Sequence, residues 1–243
     1  MKCRLCKFLC DRFCPPDARP GKLWRLSSKW EQYHSNEWDL CDAQPTELKE
    51  GVERALSLAE TDAAKSLAVM RRLADLGSPF AARRTGWFYE HGSGTAVNLE
   101  LAEQYYYKAQ MSGSWMATLS LANLFYRHRI NGKWEPILED GVRSDFIPAS
   151  FWLGWYRYDR DPKRSVAREV APLMEYAAQA GHPGARVILM RWKSKGVFGL
   201  RKVADGWRDF RSIHSDSKAG RLLPGADENL IETGMQTEWD AAA

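Results

Sequence analysis

The chain repeats a skeleton of small residues at a nearly constant spacing. Each copy has the form Gly-x-x-x-Ala, with Asp replacing Gly in one copy, and the copies begin at Gly77, Gly113, Asp145 and Gly181. The intervals between the copies are therefore 36, 32 and 36 residues. Self-similarity at such a period predicts an array of similar units, in which each unit contacts mainly its neighbours.

Each unit has the pattern of two helices joined by a turn. Pro79 suits the first turn of a helix over 79–90, and the glycine-containing stretch 91–94 ends that helix. A second helix is predicted over 99–112, because its apolar residues recur at helical intervals. These residues are Ala102, Tyr105, Tyr106 and Ala109. Gly113 then ends the second helix as a residue that readily takes a positive φ.

Small residues at fixed places allow the two helices of a hairpin to approach closely. One hairpin cannot bury its apolar stripe alone, so we expect neighbouring hairpins to stack into an all-α solenoid. The expected organisation is a Cys- and Trp-rich N-terminal segment over 1–45, the solenoid over 46–212, and an acidic, loosely ordered tail over 213–243.

The strongest copy of the repeat carries a fuller set of residues. They are Ala74, Gly77, Ala81, Gly86, Tyr89, Gly92, Gly94, Asn98, Ala102, Tyr106, Lys108, Ala109 and Gly113. This pattern resembles the Sel1-like repeat, a relative of the tetratricopeptide repeat, over about residues 60–210. It is weakest in the unit that begins at Asp145, whose turn at 158–162 lacks the glycines. The resemblance implies a right-handed superhelix of αα-hairpins that serves as a binding scaffold, without catalytic residues.

In tetratricopeptide-like stacks the first helix of each hairpin lines the concave side. Repeat positions equivalent to those of Trp87 and its neighbours are therefore our candidates for partner binding. The candidates are Arg83, Trp87, His91, Asn123, Arg127, Trp155, Asp159, Arg191 and Lys195. Such a mixture of Trp, Arg and polar groups is typical of interface hot spots. The alternative, equally weighted, is that Trp87 and Trp155 complete the core between repeats.

The function that the resemblance implies is non-catalytic binding of another protein. Bacterial relatives include adaptors and immunity proteins that neutralise secreted antibacterial toxins, such as phospholipase effectors of type VI secretion. We expect an immunity role, with a signalling or assembly adaptor as the alternative. No Gly-x-Ser-x-Gly elbow or His-x-x-x-His pair occurs in the sequence. His182 is expected to be a solvated turn residue.

Four of the five cysteines lie close together at the N-terminus, at Cys3, Cys6, Cys10 and Cys14. Four thiolates could bind zinc, and their spacing misses an iron–sulfur motif by one residue. The same spacing also places the four side chains on one helical stripe, where they would simply pack. We favour packing and expect no cofactor, and a metal- or cluster-binding adaptor is the alternative.

Charge and hydropathy exclude some classes of protein. The net charge of +4 is too small to indicate nucleic-acid binding by itself. The longest apolar run is four residues, whereas a membrane span needs about 20. Lys7, Asp11 and Arg12 interrupt the N-terminal stretch, so it lacks the form of a secretory signal. We therefore expect a cytoplasmic location, or a periplasmic one if the N-terminus is an atypical export signal.

Overall fold

A computed structural model describes residues 43–130 and 132–218, together with residues 27, 30, 31, 35, 36 and 40. From residue 43 onward these residues form eleven α-helices and one short 3-10 turn, and no strand occurs among them. The helices are α1 (Thr46–Ala59), α2 (Ala63–Asp75), α3 (Pro79–His91), α4 (Leu99–Met111), α5 (Trp115–Arg127), α6 (Trp134–Arg143), α7 (Ile147–Arg160), α8 (Arg164–Glu169), α9 (Ala171–Gln179), α10 (Pro183–Ser194) and α11 (Val203–Lys218).

Successive helices pack as antiparallel hairpins, and successive hairpins stack on one another. The helix α3 packs on α4, α5 on α6, and α10 on α11, while α7 packs on α9. First helices also touch across the stack, since α5 contacts both α3 and α7. Buried apolar side chains extend through this arrangement in two adjoining clusters, one centred on α2 to α7 and the other on α7 to α10. The predicted all-α hairpin solenoid is confirmed.

The hairpin junctions have the backbone conformation that the repeat predicts. Gly77, Gly113 and Gly181 have φ values of +97°, +90° and +97°, and Asp145 takes the equivalent place with a φ of +59°. A left-handed residue here ends one helix and turns the chain into the next. The spacing of the repeat is therefore the spacing of these turns.

The predicted close approach of helices within a hairpin is present at Gly86. A Cβ atom at this position would lie 2.6 Å from Cδ1 of Tyr106 and 3.1 Å from the carbonyl oxygen of Ala102. Ala81, Ala102 and Ala109 are fully buried. Glycine at 86 thus lets the ring of Tyr106 lie directly against the backbone of α3.

Three features differ from a regular repeat. The second helix of the third unit is divided into α8 and α9 near Val170, and Pro172 occupies the first turn of α9. The helix α6 has 10 residues where α4 has 13. The boundary expected at 212 falls inside α11, which continues to Lys218. None of the described helices combines the length and the apolar character needed to cross a membrane.

Candidate partner-binding groove

The first helices α3, α5 and α7 together line a cavity of about 50 Å³. We call this side of the solenoid the groove. Its walls come mainly from Arg83, Trp87, Glu90 and His91 of α3, from Met116, Leu119, Ser120, Asn123 and Arg127 of α5, and from Trp152 and Tyr156 of α7. Tyr106 and the N-terminal Glu31 complete the lining. Three consecutive hairpins thus contribute to one site.

On α3 the spacing of four residues places Arg83, Trp87 and His91 on one face. The ring of His91 stacks on Trp87 with their centroids 4.6 Å apart. His91 Nδ1 lies 3.1 Å from the carbonyl oxygen of Trp87, so this nitrogen carries the proton and donates. The other ring nitrogen, Nε2, is then free to accept from Arg127 Nη1 at 3.5 Å. The imidazole of His91 thus lies between an indole and a guanidinium.

Glu90 is a buried carboxylate in the groove wall. Its Oε2 atom accepts a hydrogen bond of 2.7 Å from the hydroxyl of Tyr106. Its Oε1 atom lies 3.7 Å from Arg127 Nη1 and 3.8 Å from His128 Nε2. Arg127 remains 42% exposed, so it offers a positive charge to solvent at the mouth of the groove. The acid below it holds the guanidinium in that position.

Aromatic rings join α5 to α7 at the far side of the cavity. Tyr126 and Tyr156 stack with centroids 3.7 Å apart, and the hydroxyl of Tyr156 donates to Asn123 Oδ1 at 3.2 Å. Burial raises the pKa of Tyr156 well above its ordinary value. Burial, together with the hydrogen bond to Asp159, also raises the pKa of Tyr126. Both phenols are therefore neutral donors at physiological pH.

The structure brings several of the sequence-predicted site residues together and separates others. Arg83, Trp87, His91, Asn123 and Arg127 all line the cavity. Arg83 is only 5% exposed, so it is less outward-facing than its repeat position suggested. The remaining candidates Trp155, Asp159, Arg191 and Lys195 lie outside the cavity lining. The role of all nine in partner binding stays a prediction.

On α7 the groove-facing positions are Trp152 and Tyr156 rather than Trp155. Trp155 packs against both apolar clusters, as Trp152 also does, and Trp87 packs against the first of them. Asp159 accepts a hydrogen bond of 2.5 Å from the hydroxyl of Tyr126. Trp155 stands ten residues after Asp145, as Trp87 and Asn123 stand ten residues after Gly77 and Gly113, yet on α7 the flanking positions 152 and 156 line the cavity. Helical spacing within α7 could still have suggested the pair at 152 and 156.

The expectation that His182 is a solvated turn residue is wrong, because its side chain is fully buried. It occupies the N-cap of α10, and its Nδ1 atom accepts from the backbone N–H of Ala185 at 3.2 Å. Since a backbone N–H only donates, the proton of the imidazole sits on Nε2. That nitrogen lies 3.0 Å from Oε1 of Glu31, a residue that sequence patterns did not single out.

No group of three His, Cys, Asp or Glu side chains within the described part of the chain is placed to hold a metal ion. The four clustered cysteines, Cys3, Cys6, Cys10 and Cys14, lie outside the described residues. The zinc or iron–sulfur alternative therefore stays a prediction.

Comparison with known proteins adds evidence on the fold. The chain is similar to the crystal structure of a Sel1 repeat protein from Oxalobacter formigenes, with a TM-score of 0.53 and 14% sequence identity, covering 75% of this chain and 84% of that one. The chain has the fold of a Sel1-repeat protein. It also matches c5321, a protective antigen present in uropathogenic Escherichia coli strains displaying an SLR fold, with a TM-score of 0.48, 19% identity and coverage of 78% of this chain and 46% of that one.

No model of a protein family matches the chain, and no curated protein matches it. The likeness therefore concerns the fold. In this chain the fold depends on the left-handed junction residues and the small residues between paired helices.

Proposed function

We propose that this chain is a protein-binding scaffold without catalytic activity of its own, and that its partner docks on the groove. The observation that carries this proposal is the cavity, to which three consecutive hairpins contribute side chains. Its walls combine the exposed guanidinium of Arg127 with the rings of Trp87 and Tyr156. Arginine and large aromatic residues are the side chains that most often dominate binding energy at interfaces.

We propose further that the partner is a secreted antibacterial toxin, such as a phospholipase effector, which the chain would neutralise as an immunity protein. A rigid solenoid can cover a catalytic cleft without any chemistry of its own. Occlusion of this kind needs a large contact, and a stable complex buries about 1,600 Å² in total. The groove extends over three hairpins, which supports an interface larger than a single pocket.

The experiment compares two double variants as baits for partner capture from the source cell. Trp87→Ala with Arg127→Ala removes an aromatic and a cation from the groove. Tyr107→Ala with Arg72→Ala removes an aromatic and a cation from exposed places on α4 and α2. We expect the groove variant to weaken binding of the captured, purified partner by at least about 30-fold, or about 2 kcal/mol. Equal affinities of the two variants would refute the groove as the docking surface.

The immunity role needs a separate measurement. The product of the gene adjacent to this one is produced in a sensitive host, with and without this chain. We expect growth inhibition that is relieved by the wild-type chain and by the α4/α2 variant, but not by the groove variant. Absence of toxicity, or toxicity that the wild-type chain does not relieve, would remove the immunity role and leave the scaffold proposal standing. Relief by all variants alike would instead refute the groove as the surface that binds the toxin.

A further inference from the structure

The N-terminal segment lies against the solenoid between the beginning of α10 and the beginning of α5. A Cβ atom on Gly184 would lie 2.8 Å from Ser27 Oγ, and Trp30 packs edge-on against His182 with centroids 5.0 Å apart. Leu40 approaches Gly113 at the other end. The segment thus runs opposite to the order of the repeats. We call it the strap, defined by its described residues Ser27, Trp30, Glu31, Ser35, Asn36 and Leu40.

The strap places Glu31 in a socket made by two N–H donors. Trp152 Nε1 donates to Glu31 Oε1 at 2.8 Å, and His182 Nε2 lies 3.0 Å from the same oxygen. Because His182 Nδ1 accepts from Ala185, Nε2 must carry the proton and donate. Glu31 is 2% exposed and His182 is fully buried. Two buried donors that converge on one oxygen select an acceptor such as a carboxylate.

Asn36 fastens the strap at a second place. Its Nδ2 atom donates to the carbonyl oxygen of Gly113 at 2.7 Å, and its Oδ1 atom accepts from the backbone N–H of Trp115 at 3.0 Å. The side-chain amide of Asn36 thus pairs with one backbone carbonyl and one backbone N–H at the junction before α5. Side chains five residues apart thus bind at two junctions of the solenoid.

The socket is continuous with the groove. Glu31 and Trp152 both line the cavity, together with Arg83 and Arg127. Residues 27–40 contain one lysine and three acids, so this stretch has a net charge of −2. Among the described residues, Glu31 thus lies in a groove wall that also carries the guanidinium groups of Arg83 and Arg127 and the carboxylate of Glu90. Opposite charges of this kind favour association and set its orientation.

We propose that the strap is a built-in occupant of the groove, and that an acidic segment of the partner competes with Glu31 for the socket formed by Trp152 and His182. The proposal depends on the proposed function for the groove as the docking surface. It adds the chemical class of the partner segment, which is a carboxylate-bearing peptide. It also implies that the affinity of the partner is lowered by the free energy needed to displace the strap.

The first test measures the socket directly in the full chain, without any partner. The indole N–H of Trp152 is assigned in a ¹⁵N-labelled spectrum by its loss in Trp152→Phe. We expect Glu31→Ala to accelerate solvent exchange of this proton by about tenfold or more, and Glu31→Gln, which keeps an acceptor oxygen, by about threefold. Glu47→Ala, on the exposed first turn of α1, serves as the control and should leave the exchange rate unchanged.

The second test uses a labelled peptide of residues 27–40 as the acidic probe. We expect it to bind the full-length Glu31→Ala chain about tenfold more tightly than the wild-type chain, whose own strap occupies the socket. A peptide carrying the same Glu31→Ala change should lose this preference. Should Glu31→Ala fail to fold, Glu31→Gln takes its place in both tests, with the smaller effects.

Unchanged exchange of the Trp152 proton in both Glu31 variants would overturn the proposal. Equal affinity of the probe for wild-type and variant chains would overturn it as well. Neither measurement involves the natural partner, so failure here is distinguishable from failure of the capture experiment on the groove.

Discussion

The α3/α4 hairpin and the unit from α7 to α9 reach similar packing with different local signals. In the first, Gly77 turns the chain and Ser78 Oγ caps α3 by accepting from the N–H of Ala81 at 3.3 Å. In the other, Asp145 takes the left-handed conformation and Phe146 has no polar atom in its side chain to cap α7. The comparison teaches that tertiary packing can maintain a repeat whose own start signal is missing.

The strap contacts this irregular unit at Trp152, and it also contacts the junctions before α5 and α10. Trp152 belongs to α7, and His182 stands at the junction that follows α9. The regular α3/α4 hairpin instead leaves its Trp87 and His91 half-exposed at the open part of the groove. A contact from a distant segment therefore supports α7, whose own start signal is missing, and variants at matched positions can separate local from long-range contributions.

The largest effect is expected at the N-cap positions of α5 and α10, which are Ser114 and His182. Ser114→Ala removes one capping bond and should lower the free energy of unfolding by about 1 kcal/mol. His182→Ala removes a cap and also leaves the buried Glu31 without its imidazole donor, so we expect a loss of about 3–5 kcal/mol. Urea unfolding followed by circular dichroism measures both.

His182→Ser sharpens this comparison, because serine can restore the cap but cannot reach Glu31. Its loss of stability should lie between those of the two alanine variants. A loss as small as that of Ser114→Ala for either His182 variant would show that Glu31 adds nothing to the junction.

A smaller difference is expected between two glycines at first-helix positions of the two units. In Gly86→Ala the new methyl group would meet the ring of Tyr106 at 2.6 Å, so we expect a net loss of about 2 kcal/mol from overpacking. In Gly154→Ala it would meet the flexible end of Met174 at 3.2 Å. Methionine adapts readily, and alanine favours the helix, so the change in stability should be within about 1 kcal/mol of zero.

Thermal and urea unfolding of both glycine variants provide the measurement. If Gly154→Ala proves as damaging as Gly86→Ala, the third unit is packed as tightly as the first and the contrast between them is incorrect.

The smallest effect concerns alkaline pH at the ring pair that joins α5 to α7. Folding raises the pKa of Tyr126 and Tyr156 above the ordinary value of 10.0. Their contribution to stability is therefore complete below pH 10.0 and is lost as the pH rises above it. We expect Tyr126→Phe or Tyr156→Phe to flatten this decline in urea midpoints measured from pH 8 to about 11. Tyr107→Phe, on an exposed face of α4, is the control and should leave the decline unchanged.

Much of the fold could be predicted because the helix starts and turns of each repeat are marked by residue types within the repeat itself. Pro79 at the first position of α3 and the positive φ of Gly113 follow from the properties of those residue types. The common location of Trp87 and Asn123 followed from the regular spacing of 36 residues. The interval of 32 residues to the next copy pointed to Trp155, whereas the structure has its neighbours Trp152 and Tyr156 in the cavity lining.

The socket could not be predicted from the sequence. Glu31 and His182 are separated by 151 residues, and neither stands in a pattern that marks a buried pair. A carboxylate before the repeats and an imidazole after a glycine both have common surface explanations. Only the packing of the N-terminal segment on the solenoid brings these two side chains together.

The long-range bond between Glu31 and His182 changes the expected order of unfolding. A linear array of repeats normally unravels from whichever terminal unit is least stable. Here, unfolding of α10 also requires that the hydrogen bond between His182 and Glu31 break. The contact couples the stability of α10 to that of the N-terminal segment. This coupling favours a single cooperative unfolding transition over stepwise fraying of terminal repeats.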